Sequence, residues 1–348
     1  MIFDVLVTGA GPAGCSAAIR AAKSGLTVGL AEACAFPRDL PGEALDPDVD
    51  IQFRKLGVAS KVAKAGFLRG PGWMYCRGGE RTLMLFSGQR GLRLGYQAWR
   101  ADLDSVLLER AASLGVEIMQ PGRAREFKAG KTYSSVRVNN EEVRFRHLVD
   151  ASGSNSWLRK ELQLPLRRIS SQLTARYGYW PGHPGLGTIP EFHQHECGWT
   201  WLARVRSDCC QFVRLSLDGS ALPELPAPFP PLPRSRGADV TWRFVPECAG
   251  EGYFLCGDAA GVLDPTSTSR VRRAMASGIR AAELIARIEC KRMDKAQAAA
   301  TYRKWSADRF TEQAQSLAER YRTFDLAPTW LKGIERELLA IKETKAYH

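Results

Sequence analysis

The first 32 residues contain the feature that most restricts how this chain can fold. An apolar run, FDVLVT (3–8), leads into GAGPAG (9–14), a helical stretch follows, and LTVGLAE (26–32) ends on an acidic residue. A strand, a glycine-rich turn, a helix and an acid-terminated strand in this order are typical of a dinucleotide-binding βαβ unit. The sequence therefore predicts an α/β protein with a nucleotide-binding site in its N-terminal βαβ unit.

The residues of the glycine-rich turn each have a physical role in this prediction. Gly9 permits the tight turn, Gly11 lets the backbone approach a pyrophosphate, and Gly14 lets the helix pack closely on the strand. The helix start at Pro12 and Ala13 attracts phosphate charge, because its first N–H groups are unpaired and point toward the ligand.

The acidic residue at the end of the second strand discriminates between dinucleotides. Glu32, followed by Ala33, is placed to accept hydrogen bonds from ribose hydroxyls. An acid at this position favours a free 2′-hydroxyl. The ligand predicted here is therefore FAD or NAD rather than NADP.

A second strand-to-helix motif decides between FAD and NAD. CGDAAGVLDP (256–265) follows an apolar run and precedes a helical stretch. The carboxylate of Asp258, beside Gly257 and Gly261, is placed to bond a ribityl hydroxyl, and the helix beyond Pro265 is placed to face the flavin's pyrimidine edge. A nicotinamide enzyme with one βαβ unit has no need of this distant motif, so the pair of motifs predicts FAD.

These motifs and three others resemble the flavoprotein monooxygenase superfamily of the para-hydroxybenzoate hydroxylase type, which includes the flavin-dependent tryptophan halogenases. The three others are FPRDLPGEALDP (36–47), GYQAWRADLDSVLLERAASLGVEI (95–118) and HLVDASGSNSWLRKEL (147–162). The resemblance implies that Arg100 and Gln97 face the cofactor's phosphate side. It also implies that Arg38 and Glu43 lie on a loop that runs along the cofactor.

Arg270 departs from the pattern of the last motif. The resemblance implies a glycine-containing pair where this chain has Ser269 and Arg270, at the helix start that approaches the flavin. Two interpretations stay open. In one, Arg270 turns away, and its neighbours Arg272 and Arg273 form a solvated basic face. In the other, its guanidinium stabilises an anionic reduced flavin or grips an acidic group of the substrate.

Further segments resemble a smaller subgroup, the LodB, GoxB and QhpG type of flavoproteins that oxidise a tryptophan side chain within another protein toward a tryptophylquinone. These segments are GWTWLARV (198–205), QFVRLSL (211–217), DVTWRFVP (239–246) and DPTSTSRVRRAMASG (264–278). The halogenases instead carry a WxWxIP signature and a catalytic lysine. This chain has Ala203 and Arg204 in place of Ile-Pro, and its sequence assigns no residue to the lysine.

The resemblance implies an FAD-dependent monooxygenase that hydroxylates an indole through a flavin C4a-hydroperoxide, with a tryptophan of a partner protein or peptide as substrate. Molecular oxygen would be the co-substrate, and NAD(P)H would reduce the flavin directly or through a flavin reductase. Three alternatives stay open: a tryptophan halogenase-like enzyme, a flavin reductase of the isoprenoid type, and an FAD-containing partner or chaperone protein without turnover. No catalytic base is identified, since Glu43, Asp46 and Asp264 are candidates by motif position only.

Charge and composition restrict partners and location. The net charge of +12 is spread along the chain without a basic block, so we expect an acidic protein or peptide partner and no nucleic acid. The N-terminus lacks a signal peptide and no apolar run is long enough to span a bilayer, so we expect a cytoplasmic protein. Nine cysteines without CxxC spacing predict reduced thiols.

The motifs divide the chain into segments. We expect FAD-binding segments at 1–80, 95–165 and 246–290, substrate-domain strands at 81–94 and 166–245, and helices at 291–348, with a Pro-rich exposed loop at 221–237. This predicts a Rossmann-like FAD-binding domain of the glutathione-reductase type, an inserted antiparallel substrate sheet and a helical C-terminal region.

Three residues alternate in a way that could form a metal triad. His193, His195 and Cys197 alternate in FHQHEC and would share one face of a strand. The spacing is nonspecific and no fourth ligand is evident, so the sequence predicts no metal site.

Overall fold

The computed structural model describes residues 2–38, 41–88, 91–182, 185–225 and 229–342. Its helices are α1 (Pro12–Ala22), α2 (Val49–Leu56), α3 (Ala59–Lys64), α4 (Arg100–Ser113), α5 (Trp157–Glu161), α6 (Arg270–Glu289), α7 (Lys295–Arg322) and α8 (Ile334–Lys342). Its strands are β1 (Ile2–Thr8), β2 (Val28–Ala31), β3 (Glu43–Leu45), β4 (Leu68–Gly70), β5 (Gly72–Arg77), β6 (Glu80–Leu85), β7 (Ser87–Gly88), β8 (Gly91–Leu92), β9 (Gly95–Ala98), β10 (Glu117–Met119), β11 (Ala124–Lys128), β12 (Ser134–Val138), β13 (Glu141–Asp150), β14 (Arg167–Arg168), β15 (Thr174–Pro181), β16 (Glu191–His195), β17 (Gly198–Arg206), β18 (Cys209–Ser216), β19 (Arg236–Asp239), β20 (Arg243–Phe244), β21 (Ala249–Gly250), β22 (Tyr253–Leu255) and β23 (Gly261–Val262).

The central sheet is built around β1. On one side β2 and then β10 follow in parallel, and on the other β13 and then β22 do the same, while β12 and β11 extend β13 antiparallel. Val5, Leu6 and Val7 have no exposed surface, as expected of a parallel strand covered on both faces. Gly9 follows β1 at the carboxyl edge of these strands, where open α/β sheets bind their ligands.

Helices α1 and α6 pack against each other at backbone distance. A Cβ atom at Gly278 of α6 would lie 2.0 Å from the carbonyl oxygen of Ala13 in α1, so only glycine fits there. Ala17, Ala281 and Ala282 are buried with no exposed surface. The first glycine-rich motif and the helix after the last motif are therefore held in one fixed relation.

The second large sheet has the strand order β19-β15-β18-β17-β16-β5-β6. Its pairs are antiparallel except β16 with β5, which are parallel. The sheet begins before position 81, because β5 and β6 form a hairpin over Gly78 and Gly79, both of which have positive φ. The inserted sheet is therefore mixed rather than purely antiparallel, and it starts at Gly72.

The described residues of the Pro-rich segment 221–237, which exclude 226–228, pack partly on this sheet instead of forming an exposed loop throughout. Leu225, Phe229 and Leu232 contact a small apolar cluster on the sheet, which contains Trp180, Leu186, Leu202, Cys210 and Phe212. The last residues of the segment belong to β19. The prediction of an exposed loop overlooked these apolar residues, whose burial stabilises the packing of the segment on the sheet.

The C-terminal region is helical, as predicted. The long helix α7 packs on α6 and β21, with Tyr302, Phe310 and Tyr321 buried. Among the described helices, none is both long and apolar enough to cross a membrane. The mixed α/β architecture is confirmed as well, whereas the glutathione-reductase subtype remains a prediction.

Candidate functional site

A groove of about 980 Å³ runs along the carboxyl edge of the central sheet. Its walls are the turn after β1, the end of β2, the residues that follow β13, and the start of α6. Most of the residues predicted to bind the cofactor line it, namely Gly9, Gly11, Pro12, Ala13, Glu32, Ala33, Arg38, Glu43, Arg100, Gly257, Asp258 and Arg270. The fold therefore brings the N-terminal and C-terminal motifs to one place.

Two predicted residues lie behind the groove wall. Gly14 is inside α1, where a Cβ atom would lie 1.8 Å from the carbonyl oxygen of Gly9, so its role is close packing. Gln97 is buried in β9, and its Oε1 has no hydrogen-bond partner among the described residues. The structure does not place Gln97 among the residues that line the groove.

Three further predicted residues lie next to the groove. Gly261 lines a cavity between α6 and α7. Pro265 lines a cavity beneath the second sheet. The hydroxyl of Ser269 shares a hydrogen bond of 2.6 Å with that of Ser267. These residues support the loop before α6 and do not form the groove wall.

The glycine-rich turn has the geometry that its sequence predicts. Gly9 has φ +96°, and a Cβ atom there would lie 2.4 Å from the carbonyl oxygen of Ala151. At Gly11 the nearest atom to such a Cβ is a guanidinium nitrogen of Arg38, 3.7 Å away. Gly9 is therefore required by the turn itself, whereas Gly11 keeps the backbone accessible from the groove.

Glu32 is held firmly at the groove. One carboxylate oxygen accepts the backbone N–H of Ala10 at 2.7 Å and the other accepts that of Cys34 at 2.9 Å. Arg38 adds a hydrogen bond of 3.0 Å, and Glu32 is only 4% exposed. A carboxylate fixed in this way at a strand end is suited to accept ribose hydroxyls.

Two arginines of the groove share one buried carboxylate. Asp104 accepts Arg38 at 2.7 Å and two nitrogens of Arg100 at 3.0 Å each, and it has no exposed surface. Burial opposes ionisation of Arg100, but Asp104 outweighs it and raises the pKa of that guanidinium. Arg38 also pairs with Glu32 and Arg100 with Glu43, so three carboxylates hold the two guanidinium groups at the groove, where their N–H donors can meet a pyrophosphate. Sequence analysis missed Asp104, although the Arg-to-Asp spacing of four residues on a helix was a usable signal.

The opposite end of the groove holds a second ion pair. Arg270 donates to Asp258 at 2.5 Å, and its other terminal nitrogen lies 3.7 Å from a carboxylate oxygen of Glu43. Burial would raise the pKa of Asp258, but the Arg270 guanidinium holds that pKa below its ordinary value. Asp258 in turn raises the pKa of Arg270.

Arg270 does not join a solvated face with its neighbours. Arg272 donates to Asp46 at 3.0 Å, and Arg272 and Arg273 line the cavity of about 370 Å³ between α6 and α7 rather than the groove. Burial lowers the pKa of Arg273 to about 10. Arg270 itself lines the groove, so the interpretation in which it turns away is wrong.

A smaller aromatic cavity of about 80 Å³ adjoins the groove. Its aromatic walls come from the second sheet, and its other walls from the residues around β3 and the loop before α6. Glu43 and Arg270 line both the cavity and the groove, so the two spaces meet there. No lysine is among the described residues that line this cavity. Its aromatic residues are Tyr177, Phe192, Trp199 and Trp201.

One polar side chain in the aromatic cavity lacks a partner. Gln211 is 2% exposed, and its Nε2 donor has no hydrogen-bond partner in the described part of the chain. Such a buried donor costs about 1–3 kcal/mol unless a ligand accepts from it. No sequence signal points to Gln211, because only the pairing of β18 with β15 and β17 brings it to the cavity.

The possible metal triad does not form. Nε2 of His193 lies 2.8 Å from a carboxylate oxygen of Glu191, whereas Nε2 of His195 lies 2.9 Å from the hydroxyl of Thr200. The donor atoms that come within 4.8 Å of one another are those of Cys76, Glu191 and His193. Arg81 already neutralises Glu191 at 2.6 Å, so an ion pair accounts for this cluster. All nine cysteines are free thiols.

Comparison with known proteins identifies the family. The family described as "FAD binding domain" matches residues 3–177, just over half of the chain. The chain belongs to this family. It is 29% identical to a tryptophan 2-halogenase of Chondromyces crocatus over 91% of this chain and 67% of that protein. It is 28% identical to a 1H-pyrrole-2-carbonyl-(peptidyl-carrier protein) brominase of Pseudoalteromonas luteoviolacea, over 81% and 77% of the two chains.

Solved structures agree on the fold. CmlS, a flavin-dependent halogenase, superposes with a TM-score of 0.82 at 20% identity, over 97% of this chain and 67% of that one. The chain thus spans about two thirds of the length of CmlS and of the tryptophan 2-halogenase. The relatives named here are halogenases, so the tryptophylquinone subgroup is not supported and the halogenase alternative is.

The residues of the groove fit FAD. The open backbone at Gly11, the fixed carboxylate of Glu32 and the guanidinium groups of Arg38 and Arg100 are suited to an adenosine pyrophosphate. At the far end, Asp258 is a carboxylate suited to ribityl hydroxyls, although Arg270 engages it here. Membership of the family confirms the prediction of FAD, whereas the electron donor remains a prediction.

Proposed function

We propose that this chain is a flavin-dependent halogenase-like oxidoreductase that acts on a small, electron-rich aromatic compound. The observation that carries the proposal is the meeting of the FAD groove with an aromatic cavity at Glu43 and Arg270. The activities of two relatives, a tryptophan halogenase and a pyrrole brominase, support the same chemistry. In the overall reaction, dioxygen and a reduced cofactor oxidise a halide, and an aromatic C–H becomes C–halogen with loss of a proton.

The groove residues would hold the cofactor. Glu32 would accept the ribose hydroxyls, while Arg38 and Arg100 would face the pyrophosphate. The start of α1 would add the partial positive charge of its free N–H groups. Bound FAD, once reduced, would supply the activation of dioxygen.

The aromatic cavity would bind the substrate. Trp199 and Phe192 stack with their centroids 5.5 Å apart, and this wall excludes water and favours a flat ring. The unpaired Nε2 of Gln211 would donate to a hydroxyl, carbonyl or carboxylate oxygen on that ring. These contacts would hold the reacting carbon near the junction with the groove.

The test is a halogenation assay with the purified chain. It contains FAD, a flavin reductase with NADH, dioxygen, chloride or bromide, and a panel of indoles, pyrroles and phenols. We expect a product whose mass spectrum carries the halogen isotope pattern and which is absent without halide. Glu32→Lys, which places a cation at the ribose position, should abolish both FAD binding and product. Consumption of NADH with no modified aromatic product from any compound would contradict the proposal.

A second candidate, hydroxylation of the ring, is favoured by two observations. No lysine lines the aromatic cavity in the described residues, and Ala203 and Arg204 replace the Ile-Pro of the halogenase signature. The same assay with isotopically labelled dioxygen and no halide tests it: incorporation of the label into the ring supports hydroxylation. A peptidyl tryptophan substrate has no support from the relatives, and an acidic protein partner remains a prediction from charge alone.

A further inference from the structure

Arg270 occupies the point at which three cavities meet. It lines the groove, the aromatic cavity and the cavity between α6 and α7. It is the first residue of α6, and its guanidinium contacts the carboxylates of both Asp258 and Glu43. A single side chain therefore links the walls of the cofactor and substrate spaces.

The ion pair with Arg270 engages one of the two oxygens of the Asp258 carboxylate. Among the described residues, Arg270 is the one side chain in hydrogen-bond contact with this carboxylate, through Oδ2 at 2.5 Å. The pair is largely screened from water, since the side chains of Asp258 and Arg270 are 19% and 27% exposed. In such surroundings a guanidinium at Oδ2 competes with a ligand hydroxyl for the acceptor sites of this carboxylate.

Helix α6 packs closely on α1 beside this ion pair. Gly278 of α6 contacts Ala13 of α1 at backbone distance, so we expect the Arg270 side chain to move rather than the helix. The cavity between α6 and α7 has about 370 Å³ of free space next to Arg270. Rotation of the Arg270 side chain into that space would free Asp258, at the cost of approaching Arg273.

We propose that Arg270 competes with the flavin end of FAD for Asp258, so that FAD binds more weakly while the guanidinium is paired with this carboxylate. The inference rests on the proposed function only in taking FAD as the ligand of the groove. It makes Arg270 a positioning residue that weakens FAD binding without affecting the adenosine end. A glycine at this position would remove the competitor.

The test compares FAD with ADP, which carries only the adenosine and pyrophosphate part of the cofactor. Titration of each into the wild-type chain and into Arg270→Gly measures the two dissociation constants. We expect FAD affinity to rise about tenfold in the variant, the change that 1.4 kcal/mol produces, while ADP affinity stays the same. Arg270→Gln, which keeps the helix propensity and removes the charge, should shift FAD affinity in the same direction.

Arg272→Gly is the matched control. Arg272 lies in the same turn of α6 and also pairs with a carboxylate, that of Asp46, but it does not line the groove. This variant loses the same charge and gains the same glycine. Both affinities should therefore match those of the wild type.

A double-mutant cycle with Asp258→Asn tests the mechanism. If Arg270 acts by occupying Asp258, the gain from Arg270→Gly shrinks to near zero when Asp258 is already neutral. A gain that persists in the Asp258→Asn background, or weaker FAD binding in Arg270→Gly, overturns the inference. Normal ADP binding with no change in FAD affinity overturns this inference alone, whereas absence of ADP and FAD binding in every variant overturns the proposed function with it.

Discussion

The two ends of the groove are held by different kinds of contact. At the adenosine end, Gly9 and Gly14 allow backbone atoms to touch, and Glu32 is fixed by two backbone N–H groups. At the flavin end, Arg270 and Asp258 form the wall through flexible side chains. Backbone packing fixes a shape before any ligand arrives, whereas an ion pair between side chains can be exchanged for a ligand. We therefore expect substitutions at the adenosine end to change the shape of the groove. Substitutions at the flavin end should change the competition between Arg270 and the ligand for Asp258.

The largest effect should come from Gly14→Ala. The added Cβ would lie 1.8 Å from the carbonyl oxygen of Gly9, so the backbone of the turn must shift. We expect a loss of stability of about 3 kcal/mol, at the upper part of the range for overpacking, and a loss of about a hundredfold in affinity for both ADP and FAD. Denaturant unfolding and ligand titration measure the two effects. An unchanged ADP affinity would show that the turn is not the rigid element described here.

A smaller and more selective effect is expected from Gly11→Ala. Its Cβ meets only Arg38, at an ordinary contact distance of 3.7 Å, so the free energy of unfolding should change little. The methyl group would instead keep a pyrophosphate from the backbone, and ADP and FAD affinity should both fall by about tenfold. The contrast with Gly14→Ala separates damage to the fold from damage to the site. Equal losses of stability in the two variants would contradict this distinction.

At the substrate side, Gln211→Met removes the unpaired donor from the aromatic cavity. The free energy of unfolding should stay the same or rise by up to about 1 kcal/mol, because a buried unpaired group is lost. The KM of an aromatic substrate with an acceptor oxygen should rise by about threefold to tenfold, as expected for one hydrogen bond. Gln194→Met is the control, since Gln194 also has an unpaired Nε2 but does not line the cavity. The idea fails if both variants change KM equally.

The smallest effect concerns the pH dependence of the ion pair. Burial alone would raise the pKa of Asp258, but Arg270 outweighs burial and holds that pKa below its ordinary value of 3.8. The pair therefore stabilises the protein fully above that ordinary value, and the contribution is lost as pH falls through the lowered pKa. The free energies of unfolding of the wild type and of Asp258→Asn should differ by a constant amount above about pH 5 and should converge as the pH falls below 3.8. A difference that stays constant as the pH falls below 3.8 would show that Asp258 does not gain from the pair.

The sequence predicts the adenosine end well and the flavin end less completely, for a physical reason. Gly9 and Glu32 follow from rules about one turn and the two strands beside it, which act over a short stretch of chain. Gln211 and the aromatic residues around it depend on the pairing of β15 to β18 and on the parallel pairing of β5 with β16, which no local pattern specifies. The contact between Arg270 and Glu43 likewise joins residues far apart in the chain.

The glycine contact between α1 and α6 has a mechanical consequence. With Gly278 seated on the backbone of Ala13, the two halves of the cofactor site behave as one rigid frame. Adjustment at this site then falls to side-chain torsions, which change in picoseconds to nanoseconds where they are exposed, rather than to helix displacements in microseconds or longer. Any delay in cofactor uptake would measure the breaking of one ion pair, not the opening of a domain.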